Sequence, residues 1–311
     1  MTGKASSKTR MKHRHLLDIG VTPLGVRIGA AVTGISLDHV PEGGTLETLE
    51  HLLETWGVLV FPDQDISPAQ QVAFSRALGE LDPSGRIGAR LDGQPEIVVI
   101  GDDGRSLPSL FPPDEGERLD WHADHMCHKD PARASLSYCR QAPDAGGDTV
   151  FACTYSAFDG LRPADQAQAE RLIALHSLSC LQTGPDGCDT APPDTAPPDT
   201  APPDTAPPEH ARIVRWPLVR HHPRSGRRAL YFGSQVTVGI EGWDHGSARA
   251  YLDRLAACAT RPEFLYRHVW QQGDAVLWDN RRVLHAGTPC DAAHPQREIH
   301  RTTIREDRPI R

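Results

Sequence analysis

LWDNRRVLHAG, residues 277–287, and REIHRTTI, residues 297–304, read as short strands divided by tight turns. Val, Leu, Ile, Thr and Trp fill the runs, and Asp, Asn and Gly bound them, as strand and turn chemistry requires. The pattern extends backwards through FLYRHVW (264–270) and DAVLWDN (274–280), so the last third of the chain is strand-rich. Further upstream, GVLVFP (57–62), PEIVVIG (95–101) and ARASLSYCRQA (132–142) are strand candidates, and DAGGDTVFAC (144–153) reads as a turn and a strand. Helical spacing marks Leu46 to Trp56, and Ser67 with Pro68 starts a second helix. Further helices are expected over Arg162 to Leu175 and Ser247 to Ala259. Short strands with few, mostly N-terminal helices point to an antiparallel sandwich or barrel core with outer helices.

The 311 residues suit one such domain, from about residue 21 to 311, behind a flexible basic arm over 1–20. Four TAPPD/TAPPE units between Thr190 and Glu209 have neither helical nor strand period. A proline repeat lacks backbone donors and side chains to pack, so a disordered insertion is expected at about 184–208. Net charge of −8 argues against nucleic acid or an anionic membrane as the main partner. No apolar run approaches a membrane span, and the N-terminus lacks the apolar stretch of a signal peptide. Seven cysteines, an odd number without C-x-x-C spacing, read as reduced thiols in a cytoplasmic protein.

WHADHM (121–126) carries the first chemical signal. On an extended backbone His122 and Asp124 project to one face and offer an imidazole and a carboxylate to one metal. Two histidines and a carboxylate leave open positions and suit a non-haem Fe(II) oxygenase. A third ligand has to come from elsewhere in the fold. His125 and His128 are alternative ligands if the segment is helical, although Pro131 and the polar neighbours disfavour a long helix. Arg297 and Arg301 stand four apart on an expected strand and share a face, where guanidinium groups suit carboxylates.

WHADHM, AGGDTVF, HPRSGRRALYF, LWDNRRVLHAG and REIHRTTI occur in the order found in the taurine/2,4-D type (TauD/TfdA-like) dioxygenases, and from Val21 onward the chain resembles that family. The resemblance implies a double-stranded β-helix, or jelly roll, and a dioxygenase using Fe(II), 2-oxoglutarate and O2. It matches His122, Asp124 and His285 to the iron ligands. Thr149 and Arg297 match the residues that hold the distal carboxylate of 2-oxoglutarate, and Arg301 matches one that grips an anionic group of the primary substrate. Taurine-type members carry a histidine after the second helix. Here that segment is LDPSGRIGARLDG (81–93), so the expectation moves from taurine to another small anion, with Arg86 or Arg90 facing it. The implied reaction hydroxylates the substrate, with cleavage where the new hydroxyl stands beside a heteroatom. A halogenase is the weaker alternative because it needs a small residue where Asp124 stands. A non-catalytic metal-binding module would not need Thr149 and Arg297. Assembly into a homo-oligomer is left open.

Overall fold

The computed structural model describes residues 19–82, 89–101, 119–178, 213–234, 236–289 and 297–306. The expectations for the basic arm, the 184–208 insertion, Arg86, Cys180, Cys188 and Cys290 lie outside these residues.

In chain order the elements are β1 (Gly20–Pro23), β2 (Ala30–Thr33), α1 (Gly43–Trp56), β3 (Val58–Phe61) and α2 (Pro68–Leu78). Then come β4 (Ala89–Leu91), β5 (Gln94–Gly101), β6 (Ala132–Gln141), β7 (Thr149–Cys153), α3 (Thr154–Asp159) and α4 (Pro163–Ala169). The chain continues through β8 (Ile173–His176), β9 (Val214–Pro217), β10 (Val219–His221), β11 (Arg228–Leu230), β12 (Thr237–Ile240) and α5 (His245–Ala259). It closes with β13 (Leu265–His268), β14 (Ala275–Asp279), β15 (Val283–Gly287) and β16 (Glu298–Arg305).

An eight-stranded sheet in the order β1-β2-β3-β14-β6-β16-β5-β4 faces a three-stranded sheet, β13-β7-β15. All pairings are antiparallel except β2 with β3. This is the expected jelly roll: β14 and β15 are neighbours in sequence but belong to different sheets, so the turn between them crosses the core.

The two faces of the large sheet have different partners, as the period of two dictates. Leu59, Phe61, Leu136, Ala275, Leu277 and Ile304 pack with Leu49, Leu53, Val72 and Phe74 of α1 and α2. The alternate residues Val58, Val60, Cys139, Val276, Trp278 and Ile299 meet Phe151 and Cys153 of the small sheet. Helix α2 starts as the sequence requires: Ser67 and Gln70 form a reciprocal capping box, with Pro68 in the first turn. Its buried face then pins β16. Gln71 Nε2 donates to the His300 carbonyl at 2.9 Å, and the Ser75 and Thr302 hydroxyls meet at 2.7 Å. Helix α1 ends at Gly57, whose φ of 72° is left-handed; a Cβ there would also stand 3.0 Å from Arg282 Nε.

The expected helix over Arg162 to Leu175 is corrected. It ends at Ala169, and Ile173–His176 is a strand paired with β9 and β12. Leu172 to Leu175 carries β-compatible apolar residues, and pairing on both sides outweighs the local helical spacing.

Candidate metal centre and active site

His122 is not on a long strand. It makes a single antiparallel bridge with His285 of β15: His122 N–H donates to the His285 carbonyl at 3.0 Å, and the reverse bond is 2.8 Å. The chain turns at once, and His125 adopts a positive φ of 57°. The extended stretch is therefore just long enough to send His122 and Asp124 to one place. Ligand atoms of His122, Asp124 and His285 all lie within 4.8 Å of one another. The two imidazole centroids are 4.3 Å apart, and His285 Nε2 is 3.8 Å from Asp124 Oδ1. His125 and His128 are outside this cluster, with rings 5.1 Å apart and His125 Nδ1 3.2 Å from Asp82.

Neighbouring groups fix two of the three donors. His122 Nδ1–H donates to the Asp120 carbonyl at 3.0 Å, leaving Nε2 as the free ligand atom. Asp124 is held by a network from two other strands. Ser135 Oγ of β6 donates to Asp124 Oδ2 at 2.6 Å, and Asn280 Nδ2 donates to Ser135 Oγ at 3.0 Å. Asn280 Oδ1 accepts from the Asp124 N–H and from Trp278 Nε1, both at 3.0 Å. Asn280, in the turn before β15, thus locks backbone and carboxylate of Asp124 together. Ser135 gave no signal in the sequence, because a serine on a strand is ordinary.

The electrostatics match a cation site. Burial alone would raise the Asp124 pKa, but the charges of Arg301, His285 and His122 and the Ser135 hydrogen bond hold its carboxyl well below the usual range. Burial pushes His285 down to about 3, helped by the charge of His122. A neutral imidazole beside an ionised carboxylate is the protonation state that metal binding needs. Two nitrogens and one oxygen with an open side fit Fe(II).

Arg301 of β16 donates from Nη1 to Asp124 Oδ1 at 2.8 Å, and its Nε is buried with no acceptor among the described residues. Across the sheet, Arg301 pairs with Val98 of β5 and Val98 pairs with Arg90 of β4. Directly paired residues share a face, so Arg90 stands on the Arg301 face two strands away, about 10 Å by strand spacing. Arg90 Nε is likewise buried without an acceptor among the described residues. Thr149, at the start of β7, is buried at the far end of the small sheet, opposite Gly287 and His268. Arg297 immediately precedes β16; its charge reaches Cys139, where burial foremost, with Asp274 adding, lifts the thiol to about 11 against it.

His222 follows β10. Its Nε2 donates to Asp279 Oδ2 at 3.0 Å, and both side chains are fully buried. Arg281 adds a bidentate pair to Asp279 at 2.8 and 2.7 Å. This cluster braces the β14–β15 turn that carries Asn280.

The chain matches the family described as taurine catabolism dioxygenase TauD, TfdA family, over residues 20–303. The (S)-phenoxypropionate/alpha-ketoglutarate-dioxygenase of Sphingobium herbicidovorans is 33% identical, over 87% of this chain and 90% of its own. The alpha-ketoglutarate-dependent 2,4-dichlorophenoxyacetate dioxygenase of Cupriavidus pinatubonensis is 32% identical, over 94% and 99%. A taurine dioxygenase crystal structure from Burkholderia xenovorans aligns with a TM-score of 0.74 at 28% identity, covering 93% of this chain and 90% of that one. AAD-2, crystallised with Mn(II) and N-oxalylglycine, aligns with a TM-score of 0.71 at 29% identity, covering 94% and 98%.

Proposed function

We propose a role for each of these residues in a chain that belongs to the TauD, TfdA family. The protein is an Fe(II)- and 2-oxoglutarate-dependent dioxygenase acting on a small organic substrate. His122, Asp124 and His285 hold the iron. The bound metal supplies the oxygen chemistry in which 2-oxoglutarate is decarboxylated to succinate and CO2 and a substrate C–H bond is hydroxylated.

The rest is positioning. Ser135 and Asn280 fix Asp124, and the Asp120 carbonyl fixes His122. Thr149 and Arg297 take the distal carboxylate of 2-oxoglutarate, the one by a hydroxyl and the other by a guanidinium fork. Arg301 takes the anionic group of the primary substrate next to the metal, with Arg90 completing the positive face. Relatives named for phenoxypropionate, 2,4-dichlorophenoxyacetate and sulfate esters support an anionic substrate. The observation that carries this reading is the convergence of the three ligand atoms within 4.8 Å, with Arg301 bonded to the same carboxylate.

A halogenase is disfavoured by Asp124, whose carboxylate fills the position a halide would need. We also place the protein in the cytoplasm. Cys127, Cys139, Cys153 and Cys258 are free and buried, and no helix among the described residues is long and apolar enough to cross a membrane.

The test is oxygen uptake and succinate formation with Fe(II) and 2-oxoglutarate across aryloxyalkanoates, sulfate esters and sulfonates. We expect tight coupling for one anionic class and none for uncharged analogues. Equal turnover of neutral analogues would remove Arg301 and Arg90 from substrate binding.

A further inference from the structure

Trp270 lies just after β13 and is almost fully buried between the two sheets. Its indole N–H donates to Thr149 Oγ1 at 3.0 Å in the protein interior. A tryptophan has this one donor and no acceptor, whereas a threonine hydroxyl has one proton and two lone pairs. The indole therefore occupies one lone pair of Thr149. The hydroxyl proton must point elsewhere, and no acceptor meets it among the described residues. A buried donor without a partner costs free energy, so this proton is available to an acceptor brought to the site.

The indole is itself held. His268 meets it edge to face, with ring centroids 4.5 Å apart and planes at 88°. The Tyr266 hydroxyl lies 3.0 Å from His268 Nδ1. The Asp274 side chain accepts from the Gln271 N–H at 3.1 Å and closes the loop that carries Trp270.

We propose that Trp270 is a positioning residue for the co-substrate: by donating to Thr149 it compels the threonine hydroxyl to donate to the distal carboxylate of 2-oxoglutarate. This rests on the assignment of Thr149 to that carboxylate. A donor chain ending on an anion is polarised in one direction, so the indole strengthens the bond that it does not itself make. No residue at this position needs to touch the co-substrate for its affinity to depend on it.

The test is a double-mutant cycle on the metal-loaded enzyme under anaerobic conditions, with 2-oxoglutarate binding read by calorimetry. Thr149→Val should weaken binding by about tenfold or more, as for a hydrogen bond to a charged group. Trp270→Phe, which keeps an aromatic ring and removes the N–H, should weaken it about three- to tenfold. In the Thr149→Val background the Trp270→Phe change should shrink to under about twofold. Steady-state kinetics should show Trp270→Phe acting on KM for 2-oxoglutarate and sparing kcat. With 2-oxobutyrate, which lacks the distal carboxylate, Trp270→Phe should have no effect.

An equal loss in both backgrounds, or an equal loss for 2-oxobutyrate, would make Trp270 a packing residue and overturn the proposal. Unchanged affinity in Thr149→Val would instead overturn the assignment of Thr149, and the proposal with it. Should Trp270→Phe fail to fold, the wild-type chain labelled with 15N-tryptophan gives the answer. One indole N–H resonance should move both on adding 2-oxoglutarate and in Thr149→Val. If no indole responds to both, the relay does not exist.

Discussion

Two buried aspartates, Asp124 and Asp279, each meet an arginine and a histidine, yet they do different things. Asp279 is closed. Its Oδ1 accepts from the Arg281 N–H and Nε, and its Oδ2 accepts from Arg281 Nη2 and His222 Nε2. Asp124 is open. Oδ2 accepts from Ser135 and Oδ1 from Arg301, while His285 Nε2 stays 3.8 Å away, beyond hydrogen-bond distance. A buried carboxylate with every lone pair filled by protein is scaffold. One that keeps a face free toward two imidazoles is a metal site.

The largest effect should come from exchanging what each aspartate supplies. Asp124→Ala, His122→Ala and His285→Ala should each abolish turnover and weaken Fe(II) binding, because a two-ligand remnant holds the metal poorly. Asp279→Ala should leave Arg281 and His222 buried without their acid, at a cost of about 3–5 kcal/mol in stability. Turnover and urea unfolding of the four variants check this. An Asp279→Ala protein as stable as wild type, or an active Asp124→Ala protein, would break the distinction.

The next effect separates the two arginines of the site. Losing a bidentate charge-assisted contact in a partly desolvated site costs about 2–5 kcal/mol. Arg297→Ala should therefore raise KM for 2-oxoglutarate by tens-fold or more, with or without primary substrate. Arg301→Ala should spare substrate-free decarboxylation and weaken primary-substrate binding. Anaerobic 2-oxoglutarate titration of each variant decides it: loss of binding in Arg301→Ala and retention in Arg297→Ala would reverse the two roles.

These roles were legible to unequal degrees. The strands and the pairing of His122 with Asp124 on one face could be read from period and spacing, whereas the jelly roll and His285 came from the resemblance of five motifs in family order, and the three residues do cluster. The 162–175 run keeps helical spacing past Ala169, and the helix ends there because β8 pairs with two strands distant in sequence. His222, Ser135 and Trp270 were missed for the same reason. Each acts through one partner 57, 11 and 121 residues away, at Asp279, Asp124 and Thr149. A lone His, Ser or Trp has no local pattern that announces such a contact.

Acid should sharpen the contrast between closed and open groups. Burial, reinforced by the charge of Arg220, pushes His176 down to about 3, and its Nδ1 lies 3.1 Å from Thr237 Oγ1. Its folded pKa is below the unfolded value near 6.5, so the folded state resists protonation. Stability is complete above about pH 6.5 and falls as pH drops toward 3, by an amount on the order of 4 kcal/mol. For Asp279, the raising effect of burial is outweighed by the Arg281 charge and by hydrogen bonds from Arg281 and His222. Its contribution is present above the unfolded carboxyl pKa near 3.9 and is lost only at lower pH. His285 acts with the same sign as His176 in metal-free protein, so the readout is a difference. Unfolding free energy of His176→Asn against wild type should show a shallower fall between pH 6.5 and 4. Parallel curves would mean that His176 titrates normally.

The smallest effect belongs to Arg90. It shares a face with Arg301 across Val98, and its Nε is buried without an acceptor among the described residues. Burial foremost lowers its pKa; Asp82 opposes that, and the like charge of Arg301 adds to it, so the two guanidinium groups feel each other. Two cations that repel across one face are relieved by an anion between them, which is the role proposed for the primary substrate. Arg90 is nevertheless partly open to solvent and is not bonded to the metal ligands, so its attraction is screened. Arg90→Met should raise KM for the anionic substrate about three- to tenfold at low salt, and less as ionic strength rises. It should leave KM for 2-oxoglutarate and substrate-free decarboxylation unchanged, unlike Arg297→Ala. A salt-independent loss would point to packing by the arginine stem. A change in 2-oxoglutarate binding would assign Arg90 to the co-substrate and leave Arg301 as the primary substrate's cation on this face.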